Sequence, residues 1–591
     1  MSQKGKTPKI AFKPGDVDCG INIFCQIVGT MVGVIGAMQG ALAGPWKQHS
    51  TDEAEIAAMS QLAHDIVFKH VVAGMSITMI FGTFYYTWMG YRMMKNEQRS
   101  DVCVLPYGVN TPAAFAFVFQ VVGKAATTAH HEGMDWEAGM WYAWRAGCVA
   151  NLVAGLIGAV AGFFGPMMVR VAPKTALLIA LAGIGFTWLG IGQLVECFST
   201  GYAGLLPLAA SLVLFFSKVR FPGAPVAVLI AAIGALVGWI SMQGWAEGSG
   251  GSGHALKVAS ESLGFYFPIF LDGDSFAAIP KVIGANLAVI LPVALTGAVN
   301  TLLSTYAAHD AGDLYNIKET MIVDGLTTVV AGLFGSPLGT CVYIGHPQFK
   351  AKGGGFYYGF INMVLFVVLA QSGLFALVSA LIPPYAIAAI ILFVGLAINE
   401  DAFSLTPQSQ YPAAILGLMP PMADWVCSKW PHGPSPPAGL AALSHGALLT
   451  GVLWTAIAVL AIQMQFKQAT IWSVISAVLA AFGLIHQPVV DVTFKTFTGK
   501  DGEFDTSACS YTIGYVLVAL LFSILGVMQY MKCSCVPKES DMEENQGTEE
   551  ELGMEMSHVR SLNAMAQLNV GTPFHDDEET EASGASESED A

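Results

Sequence analysis

The sequence predicts an all-α polytopic membrane protein, in which two halves of seven segments each are followed by two extra C-terminal spans. The 591 residues are 54% hydrophobic and 12% charged, whereas soluble domains carry about 25% charged residues. Apolar stretches of membrane-spanning length recur along the chain. The third stretch of each half is interrupted by Gly and Pro. This composition excludes soluble enzymes, nucleic-acid-binding proteins and disordered chains.

Residues 1–20 are predicted to form a cytoplasmic N-terminus, and residues 21–243 the first half. The apolar segments of this half are 21–43, 66–91, 102–123, 144–166, 174–196, 201–217 and 222–243. Residues 244–280 follow and contain the Gly/Ser-rich stretch Gly248–Gly253. Such a stretch is typical of a loop, so we expect an extracellular linker between the halves.

Residues 281–465 form the predicted second half. Its apolar segments are 281–309, 319–336, 337–349, 355–371, 375–398, 410–427 and 444–463. Two further runs, 469–487 and 511–531, make residues 466–531 a pair of additional spans. Because seven is odd, the second half starts from the opposite side of the membrane, and the two halves are inverted repeats. Pro173 and the pair Pro383–Pro384 agree with this, since proline marks the fifth segment of each half.

Basic residues predict the orientation of these spans. With the N-terminus in the cytoplasm, the loops on that side carry Lys or Arg at seven places, including Arg92, Arg99 and Lys532. The opposite loops carry acids and histidines such as Asp52 and His130. This is the positive-inside pattern. It predicts sixteen crossings, both termini in the cytoplasm and, as the expected location, the plasma membrane.

Most of the formal net charge of −16 belongs to the last sixty residues. Residues 532–591 hold 16 acidic and 3 basic residues, a balance typical of a disordered tail. We expect this tail to be cytoplasmic, with unidentified proteins as its partners. Cys533 and Cys535 follow the last apolar run, where S-palmitoylation occurs; two unmodified thiols are the alternative.

Two segments are unsuited to plain transmembrane helices. The third contains Leu105–Pro112 and the tenth contains Gly335–Pro347, and Gly and Pro interrupt both. Broken backbone leaves polar groups that lipid cannot satisfy, so protein or a water-filled cavity must surround it. Matching interruptions in two inverted halves predict a substrate site between them.

The stretch Asp324–Pro337 resembles the ninth segment of xanthine/uracil permeases, the nucleobase/ascorbate transporter family. Residues 105–117 resemble the third segment of that family, and residues 222–243 fit the seventh. The resemblance covers about residues 20–465. It implies a seven-plus-seven inverted-repeat transporter fold with short strands and half-helices in segments three and ten. It also implies a core domain that carries the substrate past a gate domain. Sulfate permeases and bicarbonate exchangers share that fold but transport anions.

The sequence departs from that family at the position of its acidic residue in segment eight. Asn300 stands there, with Ser304 nearby, and segment ten offers Tyr343, Gly345 and His346. An amide can donate and accept hydrogen bonds but cannot carry a proton. This departure weakens the case for a nucleobase substrate and for proton coupling through Asn300.

The candidate substrate-binding residues lie in segments three, eight and ten. They are Tyr107, Gly108, Asn110, Thr111, Phe115, Asn300, Ser304, Thr340, Tyr343 and His346. The aromatic rings are expected to stack on a flat ligand, and the polar groups to bind its edge. The alternative is that the small polar residues join helices to one another.

Two ionisable residues of the second half, His346 and Asp324, lie in apolar segments, and we consider their roles separately. His346 is expected to relay a proton or bind an anion, or else to pack at a half-helix end. Asp324 is expected near the start of its helix, where a carboxylate favours the N-terminal dipole.

The sequence therefore predicts a secondary active permease or symporter for a nucleobase-like ring compound. An anion transporter of the same fold and a transporter-like scaffold or sensor are the alternatives. No enzyme site and no cofactor are expected. Since the chain has no Walker-type phosphate loop, ATP is not expected to drive transport directly. A proton or sodium ion is the expected coupling ion. The expected partners are the small-molecule substrate, the lipid bilayer and a second copy in a homodimer, but not nucleic acid.

Overall fold

In the computed structural model, the described residues are 10–171, 173–199, 201–217, 226–241, 257, 260, 263–343, 345–382, 384–430, 436–487 and 506–531. The acidic tail, Cys533, Cys535, Gly248–Gly253 and the residues 222–225 that open segment seven lie outside them. The described chain is almost entirely helical and holds one two-stranded sheet.

The first half contains ten α-helices in its described part and the strand β1 (Tyr107–Val109). The helices are α1 (Pro14–Lys47), α2 (Glu53–Asp65), α3 (Ala73–Glu97), α4 (Thr111–Phe117), α5 (Gly123–His131), α6 (Trp136–Val171), α7 (Lys174–Ile184), α8 (Gly192–Ser199), α9 (Tyr202–Phe216) and α10 (Val226–Ser241). The π-helical turns Ile66–Val72, Val118–Val122 and Gly185–Ile191 join α2 to α3, α4 to α5 and α7 to α8. Each of these pairs therefore continues as one irregular helix.

The second half and the C-terminal spans contain the strand β2 (Thr340–Val342) and twelve helices in their described part. These helices are α11 (Gly273–Ala277), α12 (Ile279–Asp310), α13 (Ile317–Leu333), α14 (His346–Ala351), α15 (Tyr357–Gln371), α16 (Leu374–Leu381), α17 (Pro384–Ser404), α18 (Tyr411–Ser428), α19 (Ala438–Ser444), α20 (Ala447–Ile462), α21 (Phe466–Ala481) and α22 (Thr506–Tyr530). A short 3₁₀ turn, Gln408–Gln410, precedes α18.

Seven described helices are long and apolar enough to cross a membrane. The bent pair α19 and α20, at 90° to each other, makes an eighth span if it is counted as one, and three apolar helices are shorter. The chain is thus a multi-pass, all-α membrane protein, as the composition predicts. Sixteen crossings, the inverted repeats and the orientation of the termini stay predictions.

Two predicted single segments are divided in the structure. Residues 375–398 form α16 and α17, because Ile382 is extended (φ −108°, ψ 116°) and precedes Pro383, which disfavours a helical residue before it. Residues 444–463 begin with a bend at Gly446, whose φ of +69° is left-handed. Hydropathy does not register such breaks, because the residues on both sides are equally apolar.

Glycines bring α6 and α13 into backbone contact. A Cβ on Gly325 would lie 2.3 Å from the Ala159 nitrogen, and one on Gly332 would lie 2.9 Å from the Cys148 carbonyl oxygen. A Cβ on Gly155 would lie 2.7 Å from the carbonyl oxygen of Gly325. Small residues allow membrane helices to pack this closely. The contact fixes the position of α13 and of the polar residues on its other faces.

Candidate functional site

The two broken segments meet through their strands. β1 pairs antiparallel with β2, with Tyr107 opposite Val342 and Val109 opposite Thr340. Beyond the strands, the Asn110 N–H donates to the Gly339 carbonyl at 2.9 Å, and the Tyr343 N–H donates to the Pro106 carbonyl at 2.9 Å. The interrupted backbones thus satisfy each other's polar groups, which removes the cost of broken structure inside a bilayer.

Asn110 ends β1 and begins α4. Its side-chain oxygen accepts a hydrogen bond from the Ala113 N–H at 3.2 Å, so Asn110 is the N-cap of α4. Its amide nitrogen faces Gly297 of α12, since a Cβ added to Gly297 would lie 3.5 Å from that nitrogen. The next residue, Thr111, is half-buried, and its hydroxyl lies 3.3 Å from that of Thr30 in α1. The helix that starts here continues through the π turn to His131.

Asn300 and Ser304 of α12 hold the end of β2. The Asn300 amide donates to the Val342 carbonyl at 3.3 Å, and the Ser304 hydroxyl lies 3.0 Å from the same oxygen and 2.8 Å from the Asn300 carbonyl. Asn300 is half-buried, whereas Ser304 is fully buried. Asn300 therefore lies at the edge of the site, and Ser304 supports it from within.

Four predicted residues of the strand region are occupied by contacts within the protein. The hydroxyl of Tyr107 lies 3.2 Å from that of Thr78, and the Thr340 hydroxyl lies 3.0 Å from that of Thr327. The Tyr343 hydroxyl donates to the Val109 carbonyl at 2.9 Å. Gly108 lies beneath that phenol, since a Cβ there would be 2.6 Å from the Tyr343 oxygen. These contacts order the two strands.

An aromatic stack leads away from the strands along the α4–α5 helix. Phe115 is fully buried and stacks on Phe119 with ring centroids 6.2 Å apart. Phe119 stacks in turn on Trp188 at 5.0 Å. Phe119 and Trp188 line a cavity of about 1850 Å³, which also reaches Lys47 at the C-terminal end of α1. Phe115 does not line the cavity: its ring packs between Phe119 and Gly33 of α1, where an added Cβ would lie 3.4 Å from the ring.

A polar contact beside that cavity joins two distant helices. The Gln120 amide donates to one oxygen of Asp424 at 2.7 Å, and the Lys124 ammonium donates to the other at 2.8 Å. Gln120 and Lys124 belong to the α4–α5 helix and Asp424 to α18. None of these three residues is among the candidates predicted from the sequence. The available signal was Asp424 itself, a carboxylate within the predicted span 410–427.

His346 lies in a charged network instead of beside Asn110. Its Nε2 is 2.9 Å from Asp313, which also accepts from Arg99 at 2.7 Å and from Lys350 at 2.9 Å. Asp313 lies in the loop between α12 and α13 and is fully buried. Burial opposes ionisation of this carboxyl, but the hydrogen bonds from His346 and Lys350 outweigh burial and lower the pKa of Asp313 to about 2. This network therefore anchors the start of α14.

Asp324 does not lie at the start of its helix. α13 begins at Ile317, so the carboxylate comes in the middle of the helix, where the helix dipole offers it little stabilisation. The expectation was wrong because α13 begins directly after the N-cap Asn316, so residues 317–323 precede Asp324 in the helix. No group of three or more His, Cys, Asp or Glu side chains able to hold a metal ion occurs among the described residues.

The protein is thus a multi-pass membrane protein whose two interrupted segments pair through β1 and β2. No family model and no curated protein matches the chain. Among solved structures, it is similar to the transmembrane domain of a cyanobacterium bicarbonate transporter, BicA, at 16% identity and a TM-score of 0.42, over 76% of this chain and 98% of that one. It is also similar to SLC26A9, at 10% identity and a TM-score of 0.38, over 76% of this chain and 65% of that one. Likenesses this weak leave the substrate open, and membership of the xanthine/uracil permease family stays a prediction.

Proposed function

We propose that the chain is a secondary transporter that moves a small anion by alternating access. One observation supports the proposal: neutral hydrogen-bond donors lie where the two interrupted segments meet. The Thr30 and Thr111 hydroxyls and the Asn110 amide lie around the N-terminus of α4. A helix N-terminus with hydroxyl and amide donors favours negative charge.

The chemistry of the neighbouring residues supports an anion over a nucleobase. Asn300 and Ser304 are neutral, so they do not repel an anion, and Asn300 cannot form the charged hydrogen bonds of the resembling family's acid. Phe115, expected to stack on a planar ring, is fully buried between α1 and Phe119.

A nucleobase remains the second candidate because of the parallel rings of Phe119 and Trp188. They are 5.0 Å apart, inclined by 16°, and both line the cavity. A planar base arriving from the cavity would meet this aromatic pair.

Alternating access would require the α4–α5 helix to move relative to α18. The bonds of Gln120 and Lys124 to Asp424 link these helices on the cavity side. In the transport cycle that we propose, these bonds break and re-form as the site changes the side to which it is open.

The test is an uptake panel with the full chain in proteoliposomes. Labelled bicarbonate, sulfate, uracil and xanthine are supplied one at a time, with empty liposomes as the control. We expect saturable uptake of one of the two anions that excess uracil does not inhibit. Saturable uracil or xanthine uptake, without anion uptake, would establish the second candidate instead.

Two variants of Asn300 sharpen the panel. Asn300→Leu and Asn300→Asp both lose the amide that donates to Val342, but only Asp adds a negative charge. A charge about 4 Å from an anion costs about 4 kcal/mol at an effective dielectric constant of 20. For an anion, affinity in Asn300→Asp should therefore fall at least tenfold below that in Asn300→Leu. For a base, the Asp variant should equal or exceed the Leu variant. Asn316→Asp, at an exposed N-cap, controls for added charge.

Deletion of residues 540–591 separates a transporter from a scaffold. We expect the truncated chain to keep most of its uptake, because the tail lies outside the helices that form the site. A chain that shows no uptake at full length, yet loses a cellular phenotype on truncation, would be a scaffold or sensor.

A further inference from the structure

Asp324 is a buried carboxylate with an incomplete set of hydrogen bonds. The residue is 6% exposed. Its Oδ2 accepts from the Thr301 hydroxyl of α12 at 2.5 Å. Its Oδ1 is buried without a hydrogen-bond partner among the described residues. A carboxylate in this condition is unfavourable, because a buried acceptor without a hydrogen bond is not compensated for its lost hydration.

The surroundings of Asp324 hold no compensating cation in the described structure. The titratable groups within reach of its charge are Tyr86 of α3, Tyr107 of β1 and Cys341 of β2, all of them buried. On the α6 side, the neighbouring residue Gly325 packs against the backbones of Gly155 and Ala159. Along α13 itself, Glu319 is paired with Arg92, about one and a half turns before Asp324. The ionised carboxylate would therefore be an uncompensated charge, which proteins avoid by neutralising the group.

Hydrogen bonds connect Asp324 with the second interrupted segment, which contains β2. Thr301, its donor, directly follows Asn300, whose amide holds the end of β2. The Thr327 hydroxyl lies 2.9 Å from the Asp324 carbonyl and 3.0 Å from the Thr340 hydroxyl in β2. A change of charge on Asp324 thus acts on the strand that borders the site.

We propose that Asp324 is the proton-binding site that couples transport to a proton gradient. The inference rests on the proposed anion transport. One proton adds to Oδ1 while the site is open to one side, forming an O–H bond, and leaves to water on the other side. Because Oδ1 is closed to solvent in this structure, proton exchange requires the same movement that exposes the substrate site. When a proton crosses the membrane together with the anion, the total negative charge moved in each cycle is smaller by one.

The arrangement fits a proton better than a metal ion. The hydroxyls of Thr301, Thr305 and Thr327 each have an acceptor in the protein: the Asp324 carboxylate, the Thr301 carbonyl and the Asp324 carbonyl. A sodium ion would need several oxygens turned towards Oδ1 at once, whereas a proton needs only the one unpartnered oxygen. A sodium ion at this position is an outcome of the test.

Infrared difference spectra detect the proton without any transport assay. The full chain in nanodiscs is titrated with pH, and the carbonyl stretch of a protonated carboxylic acid is followed. We expect a pH-dependent band that disappears in Asp324→Asn and stays in Asp424→Asn, since Asp424 is paired with Lys124. In Thr301→Val, which removes the donor to Oδ2, the band should change frequency. If Asp324→Asn fails to fold, the frequency change in Thr301→Val still assigns the band to Asp324, because Thr301 donates to its Oδ2. A spectrum without such a band, or a band unchanged in Thr301→Val, would overturn the proposal.

Transport under an imposed gradient tests the coupling. Proteoliposomes take up labelled sulfate, or labelled bicarbonate if sulfate is not a substrate, with an acidic exterior and then with an inward sodium gradient. Wild type should accumulate the anion with acid outside, whereas Asp324→Asn should exchange it without accumulation. Accumulation that follows sodium and ignores pH would contradict the proposal while leaving anion transport intact. An infrared band without any uptake would instead contradict the proposed function and leave proton binding by Asp324 established.

Discussion

The two ends of segment ten are held by different chemistry. At the strand end, β2 is bound by neutral groups, including Asn300, Ser304 and Thr327. At the helix end, His346 and Lys350 of α14 bind the buried carboxylate of Asp313. Neutral hydrogen bonds exchange partners at low cost, whereas breaking a buried ion pair is expensive. The comparison supports the proposal that the substrate binds at the strand end, whereas the charged end is an anchor.

The largest effect is expected from breaking the anchor. Asp313→Asn leaves Arg99 and Lys350, which are only 23% and 18% exposed, without their buried carboxylate. Loss of one partner in a buried pair costs about 3–5 kcal/mol. We expect a drop of this order in the free energy of unfolding, measured by denaturant titration in detergent. The matched control is Asp101→Asn, which removes an Arg99 partner that is 67% exposed and should cost less than about 1 kcal/mol. Equal losses in the two variants would refute the anchor.

The same anchor predicts how stability depends on pH. The pKa of Asp313 falls from its ordinary 3.8 to about 2 in the folded chain, so its stabilising contribution is complete above pH 4. It is lost as the pH falls from 4 towards 2, and it amounts to about 2 kcal/mol, since one pKa unit corresponds to about 1.4 kcal/mol. The difference in unfolding free energy between wild type and Asp313→Asn should shrink over this interval. A constant difference would contradict the assignment.

A smaller change in stability, with a large change in transport, is expected at the strand end. Asn110→Ala and Asn316→Ala each remove an Asn side chain that caps a helix, α4 and α13 respectively. Each should cost about 1 kcal/mol of stability. Only Asn110→Ala removes a group of the proposed site, so only this variant should lose uptake, by at least about tenfold at equal amounts of protein. If both variants lose uptake equally, capping explains the effect and the site lies elsewhere. Thr111→Ala should resemble Asn110→Ala.

The smallest effect on stability is expected at the contact between α5 and α18. Lys124→Met removes a partner of Asp424 that is 44% exposed, while Gln120 still donates to that carboxylate. The cost should stay below about 1 kcal/mol. Lys69→Met, which breaks the pair with Asp65 within a single stretch of helix, is the control. We expect the uptake rate to change severalfold in Lys124→Met alone, because only this pair joins two moving helices. Unchanged initial rates in both variants would show that the contact does not take part in transport.

Much of the site region was predictable, because broken segments are local features. Leu105–Pro112 and Gly335–Pro347 were selected from Gly and Pro, and they contain β1 and β2. The partners of the selected side chains were not predictable. Whether Ser304 faces a ligand or the Val342 carbonyl depends on where α12 packs against β2.

By itself, the sequence determined that this is a helical multi-pass membrane protein interrupted at two places, because hydropathy and the backbone limits of Gly and Pro act over a few residues. The tertiary structure decided which polar groups meet. It paired Asp424 with Gln120 across 304 residues, placed His346 beside Asp313 and, among the residues that the structure describes, left Oδ1 of Asp324 without a partner. Burial and hydrogen bonding depend on helices that are distant in the chain, and in a bilayer each unpaired polar group costs several kcal/mol. The hydrogen-bond partners of these residues therefore became visible only when the helices were packed together.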